Sequence, residues 1–220
     1  QPVFSMTSNE EAPLLVLPHW TPRLRDVDFA FWDQARREAK LRSTKSGAEA
    51  TPASVAVFRG GLYRLSIYTD RWRETGVRRT LVDARNWHRV GRTALLGLAS
   101  AQRSGQARAA TVDFGLTLGA FAEKLGLNAS VLRTMSSTGG LSLQQQEDRY
   151  RYVLNIEGHG GWADRLPKLL LSRMLVLAQD VPARLWFEAA LDSGRTHLAI
   201  DANMANLSDV VQWARRHDRR

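Results

Sequence analysis

The sequence predicts an α/β domain built on a mostly parallel sheet, and three observations carry that reading. Short apolar runs, residues 14–17 and 174–178, have the length and content of buried strands. They alternate with stretches of helical spacing, such as Leu166, Leu169, Leu170 and Arg173. Glycine-rich corners, "FRGG" and "GHGG", stand where a strand ends and the next element begins. Strands that alternate with helices are joined by crossovers, and crossovers lay strands parallel.

Each element follows from its local pattern. Residues 1–25 hold two short strand-like pieces, "PVFSM" and "PLLVLP". Residues 26–42 read as a helix, with Phe29, Phe31 and Trp32 early and Arg36, Arg37, Lys40 and Arg42 late, where the helix dipole favours cations. The polar stretch 43–52 is a loop. A strand covers 54–58 and ends in Arg59, Gly60 and Gly61, and "LYRLSIYT" has the makings of another. Residues 93–102 suggest a short helix, "AATVDFG" a strand, "LGAFAEKLGL" a helix and 134–142 a loop.

From Tyr150 the pattern sharpens. Tyr150, Tyr152, Leu154 and Ile156 share one strand face by their spacing of two. A leucine-striped helix follows the "GHGG" corner, and Pro167 is tolerated because it falls in the first turn. "RMLVLAQD" is the next strand, "PARLWFEAAL" a helix opened by Pro182, "RTHLAI" a strand, and "NLSDVVQWARRHD" a closing helix.

Bulk properties narrow the function classes. A chain of 220 residues is long enough to bury a core, and an apolar fraction of 44% with seven Trp describes a folded globule. No apolar run approaches the ~20 residues of a membrane span. With no Cys there is no disulfide and no thiolate metal site, and the five His are scattered without ligand spacing, so no metal is expected. The opening residue is Gln1, which carries the expectation of further chain upstream. The net charge of +9 is mostly arginine, since only Lys40, Lys45, Lys124 and Lys168 are lysines. Such a surface suits a nucleic acid, an anionic small ligand, or nothing beyond a composition bias. Only Trp72 and Trp87 interleave with the seven arginines between Arg71 and Arg92, which gives little support to nucleic acid.

In an open parallel sheet, ligands bind outside the carboxyl ends of the strands. Both glycine corners lie there. A helix beginning after "GHGGW" turns its free N–H groups toward that space, and Arg165 near its start offers a planar fork for phosphate oxygens. The corner matches neither GxGxxG nor GxxxxGK[ST], and from spacing alone a tight turn with a surface arginine is the better reading. His159 could be a base, a ribose or phosphate contact, or simply exposed; Trp162 could stack on a base or sugar, or cap the core edge.

The series "RYRYVLNIEGHGGWADRLPKLLLSRMLVLAQD", "LWFEAAL", "THLAI" and "NLSDVVQWARRHD", with "PVFSMT", "LPHWTP" and "VAVFRGG" upstream in order, resembles glycosyltransferase family 90. That family comprises Rumi-like protein O-glucosyltransferases and capsule-associated fungal xylosyltransferases. The resemblance implies a GT-B architecture of two Rossmann-like halves, of which this chain is the C-terminal, donor-binding half: residues 1–50 an inter-domain segment, 51–220 the Rossmann-like domain. It implies a UDP-sugar donor carrying glucose or xylose, a hydroxyl acceptor on protein or glycan, inversion without a metal or other cofactor, and a place in the lumen of the endoplasmic reticulum or Golgi; membrane anchoring stays open. By position it implies donor contacts at Gly60, Gly61 and Arg92, with Arg64 as the rival of Arg92, and along the loop Gly158, His159, Gly160, Gly161, Trp162, Ala163, Asp164 and Arg165. Gly61 stands where members often carry Ser, and Ala178 where Lys is common. The family's catalytic Asp belongs to the N-terminal half, so no base is assigned in this chain. A non-catalytic nucleotide-sugar or glycan-binding module is the alternative reading.

Overall fold

The computed structural model describes residues 51–62, 111–118, 140–156, 165–181 and 187–218 continuously. It also describes shorter pieces at 4–5, 7–8, 15–16, 33–34, 36–41, 66–67, 80–81, 92, 94–95, 98 and 184–185. Five strands form one fully parallel sheet: β1 (Ala53–Leu62), β2 (Val112–Leu118), β3 (Tyr150–Asn155), β4 (Leu175–Gln179) and β5 (Leu198–Ile200). Their spatial order is β5-β4-β3-β1-β2. Read from the other edge this is 2-1-3-4-5, the order of a doubly wound Rossmann-like sheet, in which the chain leaves β1 on one side for β2 and returns to the other for β3.

Alternation along the strands makes two cores. On one face Ala56, Phe58, Tyr152, Leu154, Ile156, Leu177 and Ile200 gather with Leu95. They meet Leu207, Val211 and Ala214 of the closing helix, α3 (Leu207–His217). On the other, Val57, Val153 and Val176 meet Leu166 and Leu169 of α2 (Arg165–Leu170), with Leu143 of α1 (Leu143–Arg149) against them. Neighbouring residues thus sit in opposite cores, as the pleat requires, and a sheet covered on both faces explains why these strands are apolar on both sides.

Several expectations need correction. The strand placed at 54–58 runs on through Gly60 and Gly61 to Leu62, because β2 pairs with it as far as Leu62↔Leu118 and holds the glycines extended. Tyr150 packs with the second core, apart from Tyr152, Leu154 and Ile156; it pairs with Ala53 beyond a bulge between Ala53 and Ala56. The segment opened by Pro182 is a two-residue strand, Arg184–Leu185, and a single 3₁₀ turn, Glu188–Ala190. Arg184 and Leu185 pair with Ser8 and Thr7, and this tertiary pairing overrides a helical pattern. Helix α1 follows the loop expected over 134–142, in a stretch to which no element was assigned; Ser142 and Gln145 close a reciprocal capping box at its start. The two N-terminal pieces pair in parallel, Phe4↔Leu15 and Ser5↔Val16. Of the helix expected over 26–42, residues 33–34 and 36–41 are described and helical. Ser66–Ile67 of "LYRLSIYT" pairs antiparallel with Thr80–Leu81. The helix expected in "LGAFAEKLGL" lies outside the described residues.

Candidate functional site

The switch point of a 2-1-3-4-5 sheet lies between the carboxyl ends of β1 and β3. Here the two strands separate early. Their pairing ends at Val57↔Val153, while β1 stays paired with β2 through Gly60↔Leu116 and Gly61↔Thr117. In a doubly wound sheet a crevice lies at this place, between the last residues of β1 and the end of β3, and two arginines from different connections reach it.

Arg92 comes from the connection between β1 and β2, where it and Ala94, Leu95 and Leu98 are helical. Leu95 anchors this turn in the first core at 0% exposure. The Arg92 guanidinium is buried and donates to the carbonyl of Gly61 at 2.5 Å and, at 3.4 Å, to that of Ile156 just past β3. It therefore bridges the two strand ends across the crevice. Arg165 opens α2 on the opposite face of the sheet. Leu166 and Leu169, buried in the second core, fix that helix. Both guanidiniums face the ring of Phe58, Arg165 at 4.7 Å from its centroid and Arg92 at 5.5 Å, within cation–π range.

Gly60 makes this meeting sterically feasible. A Cβ there would stand 2.9 Å from Phe58 Cζ and 3.6 Å from a terminal nitrogen of Arg165. A side chain at position 60 would displace the ring, and with it the surface under Arg165.

Among the described residues the electrostatics around Arg165 are one-sided. Burial, and after it the charge of Arg92, pushes the Arg165 pKa down to about 10. No carboxylate among the described residues pairs with Arg165. A desolvated cation beside a second cation is unfavourable, and an anion between them would relieve both costs at once. Charge-assisted bonds from the guanidinium fork suit phosphate oxygens, and the partly buried setting strengthens them.

Of the residues nominated from sequence, Gly60, Gly61, Arg92 and Arg165 converge at the switch point. Gly158, His159, Gly160, Gly161, Trp162, Ala163 and Asp164 lie outside the described residues, as does Arg64; the described flanks of the loop are Ile156 and Arg165. Sequence reasoning passed over Phe58, whose signal was an aromatic two residues ahead of a glycine pair at a strand end. It also passed over Gln179, a buried side chain at the end of β4 that donates to the Ala202 carbonyl at 2.6 Å and ties the ends of β4 and β5 together. Among the described residues no group of three or more His, Cys, Asp or Glu is placed to hold a metal ion.

No family model matches the chain. Over 70 residues, 32% of its length, it is 36% identical to protein O-glucosyltransferase 3 of Homo sapiens and 34% identical to that of Mus musculus. The matched stretch spans 14% of either relative. A third of the chain is thus related to a glycosyltransferase.

Proposed function

We propose that this chain is the donor-binding half of a GT-B glycosyltransferase of family 90, transferring glucose or xylose from a UDP-sugar to a hydroxyl of a protein or glycan. The observation that carries the reading is the convergence of Arg92 and Arg165 on one crevice at the switch point, where Arg165 has no carboxylate among the described residues. The partial identity to protein O-glucosyltransferase 3 supports it.

In such a transfer the bond from the anomeric carbon to the diphosphate breaks, and negative charge grows on the leaving UDP. Arg165, held in a partly desolvated crevice, offsets that charge as it forms. Arg92 keeps the two strand ends at a fixed separation, so the diphosphate meets a preorganised surface. The acceptor hydroxyl must lose a proton to a carboxylate, and on this reading that group belongs to an N-terminal half outside the chain. Attack opposite the leaving group gives inversion, with arginines in the place a metal takes in other transferases. On this reading residues 51–220 are the donor domain, 1–50 are an inter-domain segment, and the setting is the secretory lumen.

Calorimetry with UDP tests the donor site. Arg165→Met is expected to weaken UDP binding by about 2–5 kcal/mol, the cost of removing one member of a buried charge pair. Equal affinity of the two proteins would remove the basis of the reading. A non-catalytic donor-binding module is the second reading, since no described residue is assigned as the base. It predicts UDP binding with neither transfer nor slow hydrolysis of UDP-glucose in the full-length protein.

A further inference from the structure

We propose that Phe58 is a positioning residue: its ring is the platform that holds the Arg165 guanidinium in the crevice beside Arg92, so that both cations present to one anion. The inference rests on the donor-site reading and adds a role for a side chain that acts through Arg165.

Three observations carry it. Phe58 is fully buried, and it stands at the first position of β1 beyond the last pair with β3, at the floor of the crevice. The two guanidiniums above it arrive from different connections and from opposite faces of the sheet, yet lie 4.7 and 5.5 Å from the same ring centroid. Like charges repel, so something must offset their approach. Arg92 is tied to the carbonyls of Gly61 and Ile156, whereas Arg165 meets the π face of Phe58. Finally, Gly60 leaves the ring its place, since a Cβ there would come within 2.9 Å of Cζ.

A core role alone makes a different demand. Phe58 shares the first core with Leu95, Leu154 and Ile156, and an aliphatic side chain would serve that apolar side. What an aliphatic group lacks is the negative π face on which a guanidinium rests. The ring's electronic character, separate from its volume, is therefore the discriminating variable.

The test replaces Phe58 by fluorinated phenylalanines of graded π density (4-fluoro, 3,5-difluoro, pentafluoro), with Phe58→Leu as the aliphatic limit. UDP is titrated by calorimetry into each, and urea unfolding is followed in parallel. UDP affinity is expected to fall stepwise along the series, reaching about tenfold at pentafluorophenylalanine. Affinity that stays constant along the series, while Arg165→Met loses it, overturns the platform and leaves the donor reading standing. If the parent chain does not bind UDP, the donor reading fails, and the platform is then judged without ligand. A double-mutant cycle between pentafluoro-Phe58 and Arg165→Met in urea is expected to show a coupling of at least about threefold in the unfolding constant. Additivity in that cycle overturns the proposal.

Discussion

At the amino end of the sheet arginines meet acceptors on the protein; at the carboxyl end Arg165 meets an aromatic ring and another arginine. Arg151, at the start of β3, pairs with Asp218 at 2.6 Å, and Tyr152 donates to the same carboxylate at 3.3 Å. Arg173, just ahead of β4, reaches Asp148 at 3.0 Å and Glu147 at 4.0 Å, and Arg215 donates to the Ser54 carbonyl at 2.7 Å. In mid-sheet Arg59 pairs with Asp113 at 2.9 Å, and the Tyr150 hydroxyl joins them. Arginines that complete the fold have their counter-groups inside it. Among the described residues Arg165 has none, and the donor-site reading supplies it as a bound anion.

Substitutions at the two ends should separate along this line. The largest effect is expected from Arg92→Met, which takes the donor from the carbonyls of Gly61 and Ile156 and splays the ends of β1 and β3. Stability should fall by about 2–4 kcal/mol in urea unfolding, since buried acceptors lose their partner, and UDP affinity should fall with it. Gly60→Ala should cost about 1–3 kcal/mol from overpacking against Phe58, and it should weaken UDP binding more than its stability loss alone accounts for.

At the amino end Asp218→Asn should cost about 1 kcal/mol, because it weakens the pair with Arg151, and leave UDP binding unchanged. A loss of UDP affinity there would break the division between the two ends. The smallest effect is one of pH. Burial, and after it the charge of Arg92, holds the Arg165 pKa down at about 10, below the ordinary arginine value. A cation with a lowered pKa is fully charged below it and neutral above it. The share of UDP affinity owed to Arg165, taken as the difference from Arg165→Met, should therefore hold below that pH and decline as pH rises through it. UDP itself raises the arginine's pKa, so the midpoint should move upward as the site fills.

Much of the sheet was legible in the sequence because its strands announce themselves by length and apolar content. Residues 174–178 and the alternation of Tyr152, Leu154 and Ile156 mark β4 and β3 before any coordinates. What stayed hidden depended on neighbours. Gly60 and Gly61 read as a strand end because glycine weakens a strand on its own, yet β2 pairs with both. Residues 182–191 carry a helical pattern that loses to pairing with Thr7 and Ser8. The site was half legible. Arg92 and Arg165 were nominated from sequence, but that they meet over Phe58 follows from the 2-1-3-4-5 order, and local periodicity carries no information on strand order.

The early parting of β1 from β3 also bears on how the protein reaches its working form. The crevice draws on residues 58–61, 92, 156 and 165, separated by about a hundred positions along the chain. Contacts so distant in sequence close late, after the loops between them have paid their closure entropy. During refolding from urea, nucleotide affinity should therefore return together with the sheet core, whose pairs Ala53↔Tyr150 and Val57↔Val153 span as much chain, and a nascent chain that has not yet delivered Arg165 would be unable to hold a ligand.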